Sequence, residues 1–146
     1  YIGGKVDSPS YRDVCNGGTG HAEAIRVAFD PAVVSYRALL EIFFVVHDPT
    51  TLNRQGNDIG TQYRSAIFTT SDEQLHAALA LIEELGEQRV FPSAIVTKVE
   101  RAGVFWPAED YHLDYYTRNS DQPYCQYVVA PKVAKFREKF AARRKR

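Results

Sequence analysis

The sequence predicts a mixed α/β (α+β) domain in which helices pack on a β-sheet, and three observations support this prediction. The chain has 146 residues, of which 45% are hydrophobic and 25% charged, so it can bury one core. Segments with the alternation of strands follow one another with segments of helical periodicity. Their order is strand, helix, strand, helix, strand, helix, which is typical of helices laid against a sheet.

The N-terminal segment is predicted to contain a strand end, a helical turn and a strand. Residues 1–4 are apolar and then turn-forming, as where a strand enters a loop. Ser8 or Ser10 is a possible N-cap for a short helical turn that stops at the glycine pair 17–18. Residues 22–30 alternate in polarity, which predicts a strand with one apolar face.

A core helix, a long polar loop, a strand and a second helix follow. The segment 35–48 begins at a good N-cap, Ser35, and places apolar side chains at helical spacing. Residues 49–64 are polar and glycine-rich, and loops of this length in a compact domain are usually functional or disordered. Residues 65–70 predict a strand, and 71–88 predict an amphipathic helix that opens with a capping box.

The C-terminal part is predicted to end in helices. Residues 94–103 have the composition of a strand, and 107–119 predict a short helix with proline at its first position and acids in its first turn. The loop 120–131 leads to a final helix from Lys132 onward. The basic tail 135–146 indicates a solvated helix end rather than a binding arm, because cations are favourable at a helix C-terminus.

Charge and cysteine content narrow the function classes. Lysine plus arginine and aspartate plus glutamate both number 18, so net charge gives no support to a nucleic-acid or membrane-surface role. No apolar run approaches the roughly 18 residues of a membrane span, and a cytoplasmic location is expected, although the chain begins without methionine. Cys15 and Cys125 form neither a CxxC pair nor a zinc spacing, so no metal site is expected. A structural disulfide, two inert thiols and a redox pair all stay open.

Three segments carry more polar and aromatic residues than core packing demands, namely 11–23, 53–65 and 105–116. Glu23 stands at the mouth of an apolar strand, where desolvation could raise its pKa and keep it a proton donor. An exposed glutamate is the more common case for such a position. The polar loop fits a cluster of donors and a set of surface turns equally well. The aromatic segment is more typical of a core, and His112 of a structural histidine.

The cysteines allow a second interpretation. Cys15 lies near His21 in sequence, so a nucleophilic Cys/His pair is conceivable, but such a pair also needs a lowered thiol pKa and an accessible position. Cys125 lies in a loop near the C-terminus and is expected to be the more mobile and exposed thiol.

Several motifs in order resemble the A-type peptide methionine sulfoxide reductases: PSYRDVC, GGTGHAE, HDPT, NRQGNDIGTQYRS, AEDYH and PYCQ. The resemblance extends over nearly the whole chain, and two of these motifs are long. It implies a two-layer sandwich on a mixed β-sheet, related to the ferredoxin-like fold. It also implies the reduction of methionine-(S)-sulfoxide, free or in proteins, by thiol, sulfenic acid and disulfide chemistry without a cofactor, as repair of oxidative damage.

The resemblance assigns roles to five residues. Glu23 corresponds to the acid that binds and protonates the sulfoxide oxygen, and Tyr11 and Tyr63 to the phenols that donate hydrogen bonds to it. Asp58 would order the polar network around that oxygen. Cys125 matches the recycling cysteine, whose disulfide a thioredoxin-like dithiol would reduce. A monomer is expected.

The family's nucleophile is not found in the sequence. Family members place it in a GCFW motif upstream of the equivalent of YIGG, whereas here the only FW pair is Phe105-Trp106 after Val104. We therefore expect the single domain 1–146 to lack its N-terminal strand and nucleophile motif. Two alternatives stay open: a non-catalytic sulfoxide-binding homologue or inactive fragment, and a thiol enzyme that uses Cys15 or Cys125. On the main interpretation Cys15 is a small buried bystander, and the histidines have supporting roles at most.

Overall fold

The computed structural model describes residues 1–141. The α-helices and strands in chain order are α1 (Tyr11–Cys15), α2 (Tyr36–Val46), β1 (Arg54–Gln55), β2 (Asp58–Ile59), β3 (Ala66–Thr69), α3 (Asp72–Glu87), β4 (Lys98–Arg101), α4 (Tyr115–Arg118) and α5 (Ala130–Lys139). Short 3₁₀ turns span Thr61–Tyr63 and Asp110–His112, and a π-helical turn spans Cys125–Val129. Among these residues no helix has both the length and the apolar character to cross a bilayer.

The core lies between a parallel strand pair and two helices. Strands β3 and β4 run parallel with Ala66 opposite Lys98, and α2 and α3 pack together beside them. The buried apolar side chains come from these elements: Leu40, Phe44, Ile67, Ala78 and Leu81. Full burial of a large apolar side chain stabilises the fold by about 1.5–3 kcal/mol, so this cluster is the main source of stability. The predicted α/β class is confirmed.

The helical turn α1 forms as its sequence predicts. Ser10 is the N-cap: its hydroxyl accepts a hydrogen bond from the backbone N–H of Asp13 at 3.2 Å, and the Asp13 carboxylate accepts one from the Ser10 N–H at 2.9 Å. Gly17 and Gly18 follow at φ angles of 75° and 84°, a region that favours glycine. The alternative cap, Ser8, is not used.

The predicted strand 22–30 does not form. Only Ala22 makes a β-bridge, with Ile2, and residues 23–30 belong to no strand or helix. Ile25 is 88% exposed and Val27 52%. Alternation predicts an apolar face, but a strand also needs a neighbour that pairs with its backbone groups. Within residues 1–141, no strand lies beside 23–30 to pair with it.

The long polar segment 49–64 is ordered rather than free. Strands β1 and β2 pair antiparallel, with Gln55 opposite Asp58, and Gly56 occupies the turn at φ 56°. A backbone hydrogen bond of 2.8 Å from Gly60 to Asn53 closes the hairpin. The hairpin and the following 3₁₀ turn hold Asp58 and Tyr63 on one compact structure, so the disordered alternative for this segment is excluded.

The C-terminal elements differ from the prediction in two places. The expected helix 107–119 is divided into a 3₁₀ turn and α4, because Asp114 between them adopts a left-handed φ of 52°. The expected loop 120–131 is helical from position 123, with the π-helical turn running into α5. The end of the basic tail, 142–146, lies outside the described residues.

Candidate active site

Glu23 lies where two of the polar segments meet. Its backbone N–H donates a 2.9 Å hydrogen bond to the carbonyl of Gln62, which ties the chain after α1 to the 3₁₀ turn next to Tyr63. Glu23 is an exposed residue, although the protein partly buries its carboxylate. This burial raises the pKa of Glu23, and the nearby charge of Asp58 raises it further, whereas His112 opposes the shift. These effects shift the ionisation of Glu23 toward its protonated form.

Two phenols accompany this acid. Tyr11, on α1, has a pKa raised to about 12, first by the interaction of its hydroxyl with the thiol of Cys15 and then by burial and by the charge of Glu23. Burial also raises the pKa of Tyr63, and the charges of Glu23 and Asp58 add to the effect. Both hydroxyls therefore keep their protons at neutral pH and can donate hydrogen bonds. The mutual electrostatic influence of these side chains shows that the fold brings the predicted acid and both phenols together.

The aromatic segment 105–116 lines this cluster and is not core. The Tyr11 ring lies 4.7 Å from the His112 ring at a tilted angle, and its edge meets Tyr111 at 6.2 Å. None of the aromatic side chains of this segment is buried, and Tyr111 is 53% exposed. The expectation that this segment belongs to the core is therefore wrong. Within it, Tyr111 and His112 form an aromatic wall beside the Tyr11 ring.

The Cys15–His21 pair is not available as a nucleophile and base. The ring of His21 is buried, and both of its nitrogens are occupied: Nδ1 accepts from the Gly4 N–H at 3.0 Å, and Nε2 lies 2.7 Å from the Val6 carbonyl. Cys15 is half-buried, so the expectation of a buried residue is wrong, and its thiol interacts with the hydroxyl of Tyr11. Its thiol belongs to the cluster.

Cys125 is fully buried at the first position of the π-helical turn. The expectation of an exposed thiol in a mobile loop is therefore wrong, because the chain here is already helical. Cys125 and Cys15 are both free thiols. Tyr124 connects Cys125 with the cluster, since its pKa is raised by burial and then by the charges of Asp58 and Glu23.

Glu109 belongs to this site although the sequence analysis did not single it out. Its carboxylate accepts a hydrogen bond from the backbone N–H of Tyr11 at 2.9 Å. The sequence around it has the pattern of acids in a first helical turn, and nothing in that pattern indicates a contact so distant along the chain.

Across residues 1–141, no three histidine, cysteine or acidic side chains are grouped to share a metal ion.

Comparison with known proteins points to one family. Residues 1–145 match the family model described as peptide methionine sulfoxide reductase. The peptide methionine sulfoxide reductase MsrA of Chromobacterium violaceum is 52% identical over 97% of this chain and 80% of its own length. The same protein of Deinococcus radiodurans is 58% identical over 94% of this chain and 67% of its own length. The reduced form of Mxr1 from Saccharomyces cerevisiae, at 41% identity, has a TM-score of 0.79 and covers 86% of this chain and 71% of that chain.

Proposed function

We propose a site for the sulfoxide oxygen in this chain, which belongs to the peptide methionine sulfoxide reductase family and so acts in the reduction of methionine sulfoxide. In this proposal Glu23, Tyr11 and Tyr63 bind that oxygen. The observation that supports this proposal most directly is the raised pKa of Glu23 beside two protonated phenols. A sulfoxide oxygen carries a partial negative charge and accepts hydrogen bonds. A neutral carboxyl group with two phenols is a matching set of donors.

The chemistry requires donors at the oxygen. When a thiolate attacks the sulfur, electron density moves onto the oxygen, and a proton supplied there stabilises the transition state. Glu23 is the proton donor in this proposal, and the two phenols share the developing charge. The oxygen passes to the attacking thiol as a sulfenic acid, and the thioether of methionine is released. Asp58 acts through Glu23, because a second negative charge nearby favours the protonated acid.

Cys125 is the thiol that we assign to recycling. It would condense with the sulfenic acid, releasing water and forming a disulfide, which a thioredoxin-like dithiol then reduces by exchange. The position of Cys125 beside Tyr124 supports the assignment, since Tyr124 lies within the electrostatic reach of Glu23 and Asp58. Because the thiol is fully buried, this step requires local opening of the π-helical turn.

Further features of the proposal follow the family. We assign the S-epimer, free or in proteins, as substrate, with the domain acting as a monomer, and a cytoplasmic location stays a prediction. The attacking thiolate is not assigned to either cysteine. Cys15 interacts with the hydroxyl of Tyr11, and Cys125 is buried, so neither is presented for attack on a sulfur held at Glu23.

Sulfoxide affinity tests the oxygen-binding role. Calorimetric titration of the full chain with N-acetylmethionine-S-sulfoxide should give measurable binding, and Glu23→Gln should weaken it about tenfold, as expected for a hydrogen bond worth about 1.4 kcal/mol. The control is Glu83→Gln, an exposed glutamate on α3, which should leave the affinity unchanged. Equal affinity of the Glu23→Gln and unsubstituted chains would exclude Glu23 as the oxygen ligand.

A further inference from the structure

Glu109 is the point at which α1 is attached to the aromatic wall of the site. Its Oε1 accepts a hydrogen bond from the backbone N–H of Tyr11 at 2.9 Å. Its Oε2 accepts from the hydroxyl of Tyr1 at 3.0 Å and from the hydroxyl of Tyr111 at 3.3 Å. One carboxylate thus connects Tyr1 and Tyr11 with Tyr111, about a hundred positions further along the chain. Both of its oxygens are occupied by these donors.

The contact with Tyr11 fixes the backbone at the start of α1. The first N–H groups of a helix have no partner within it, so a carboxylate that accepts from one of them sets where the helix begins. The negative charge is also favourable at this end of a helix. Tyr11 is the first residue of α1, and the position of its ring therefore depends on the Glu109 carboxylate.

The same carboxylate holds the surface on which the Tyr11 ring rests. The Nε2 atom of His112 lies 3.5 Å from Oε2 of Glu109. The rings of His112 and Tyr111 are 4.4 Å apart, and the Tyr11 ring contacts both. Glu109 therefore contacts the Tyr11 backbone and both side chains that flank its ring. Removing the carboxylate should therefore free both the Tyr11 backbone and the two side chains against which its ring packs.

We propose that Glu109 is a positioning residue: it sets the Tyr11 hydroxyl toward the sulfoxide oxygen without touching the substrate itself. This inference rests on the proposed function, because it assumes that Tyr11 binds that oxygen. It adds a residue of the segment 105–116 to the machinery of the site. The alternative is a residue that only stabilises the fold.

The ionisation of Glu109 is consistent with this role. Burial acts to raise its pKa, but the hydrogen bonds from the Tyr11 backbone and from the Tyr1 and Tyr111 hydroxyls outweigh burial, so its pKa is lowered. Glu109 and Glu23 thus have pKa shifts of opposite direction within one cluster. The first is kept as an acceptor of hydrogen bonds, and the second as a donor.

A double-mutant cycle on the full chain separates positioning from general stability. We expect Glu109→Ala to weaken binding of N-acetylmethionine-S-sulfoxide about five- to tenfold, and Glu109→Gln to weaken it less, because the amide oxygen still accepts from the Tyr11 N–H. If Glu109 acts through the phenol, adding Glu109→Ala to Tyr11→Phe should weaken binding no further. Additive effects of the two changes, or unchanged affinity in Glu109→Ala, would overturn the proposal.

A second measurement needs no ligand. In chains with ¹³C-labelled tyrosine, the ring signal that disappears in Tyr11→Phe should move toward the value of a free tyrosine in Glu109→Ala and remain close to its original position in Glu109→Gln. The surface control Glu83→Ala should leave it unchanged. An unchanged Tyr11 signal in Glu109→Ala would overturn the positioning role.

If the unsubstituted chain binds no sulfoxide, the proposed function fails, and this signal still decides the role of Glu109. Should Glu109→Ala not fold, Glu109→Asp, whose shorter side chain cannot reach all three tyrosines, decides by the same signal.

Discussion

The chemistry of Glu23 depends on its neighbours more than on its own type. A carboxyl group in water is ionised at neutral pH and cannot donate a hydrogen bond. In this fold burial disfavours its charged form, and Asp58 on β2 adds a negative charge nearby. His112 acts in the opposite direction, so the pKa of Glu23 reflects a balance of burial and nearby charges. Removal of one of these charges should therefore shift the pKa of Glu23.

Asp58→Asn should lower the pKa of Glu23. The substitution removes the negative charge that favours the protonated acid while keeping a side chain of nearly the same size. Sulfoxide binding should then be lost at a lower pH than in the unsubstituted chain, because binding requires the neutral carboxyl group. ¹³C NMR titration of the glutamate carboxyl groups measures the pKa, and calorimetry at several pH values measures the affinity. Glu83→Gln on α3 provides the matched control, and an unchanged Glu23 titration in Asp58→Asn would contradict the electrostatic coupling.

The proposed site residues lie inside motifs that the sequence shares with the family. Glu23, Tyr11, Tyr63 and Asp58 were identified by resemblance, and the structure places their side chains in one electrostatic cluster. Glu109 lies in the AEDYH motif, but the resemblance assigned it no role, and the local pattern indicates only a helix start rather than its contact with Tyr11, 98 positions away. Side-chain hydrogen bonds between distant segments leave no periodic signal in a sequence.

Among the secondary-structure elements, α1 shows how a short helix can position a residue of the proposed site. Five residues are too few for a stable isolated helix, so α1 depends on its capping box and on its tertiary contacts. The cap fixes the first turn, and the first turn carries Tyr11. Loss of the cap should therefore affect ligand binding as well as stability.

Ser10→Ala should lower the free energy of unfolding by about 1 kcal/mol and also weaken sulfoxide binding. Ser35→Ala is a matched control, since Ser35 caps α2 through a 3.0 Å hydrogen bond from the Ala38 N–H, away from the site. Both variants should lose similar stability in urea unfolding, but only Ser10→Ala should lose affinity in calorimetry. Equal effects of both substitutions on affinity would show that α1 does not position the phenol.

The wrong predictions of secondary structure have one physical cause. Residues 22–30 have the alternation of a strand, but whether a strand forms depends on a partner supplied by another part of the chain. The segment from 123 to 131 contains two prolines and polar residues and predicts a loop, yet it is helical because α5 packs on α2. Both outcomes depend on tertiary contacts. The capped helices α1, α2 and α3, in contrast, begin where local signals predict.

For the whole molecule, a partly buried chain of polar side chains connects the main elements of the core. His47 follows α2, and its Nε2 lies 2.7 Å from the hydroxyl of Ser65, which precedes β3. The Ser65 hydroxyl lies 2.7 Å from that of Thr97, which precedes β4. The other ring nitrogen of His47 hydrogen-bonds to the carbonyl of Phe43 in α2. The Phe43 carbonyl can only accept, so Nδ1 carries the ring proton, and in the neutral histidine Nε2 accepts a hydrogen bond from Ser65.

The stability of the protein should therefore fall when His47 is protonated. Burial lowers the pKa of His47, and the charge of Lys132 adds to this, although the hydrogen bond to the Phe43 carbonyl opposes it. The unfolded chain binds the proton more readily than the folded one. The contribution of His47 is thus complete above the ordinary histidine pKa of 6.5 and is lost as the pH falls through the lower folded pKa.

Urea unfolding from about pH 8 to about pH 5 should show this loss. His47→Gln should reduce the pH dependence, because glutamine does not titrate. His76→Gln should retain it, since His76 is exposed on α3 and makes no comparable network. If His47→Gln kept the full pH dependence, the acid sensitivity would have to come from other groups. The polar chain would then hold α2, β3 and β4 together without making their packing depend on pH.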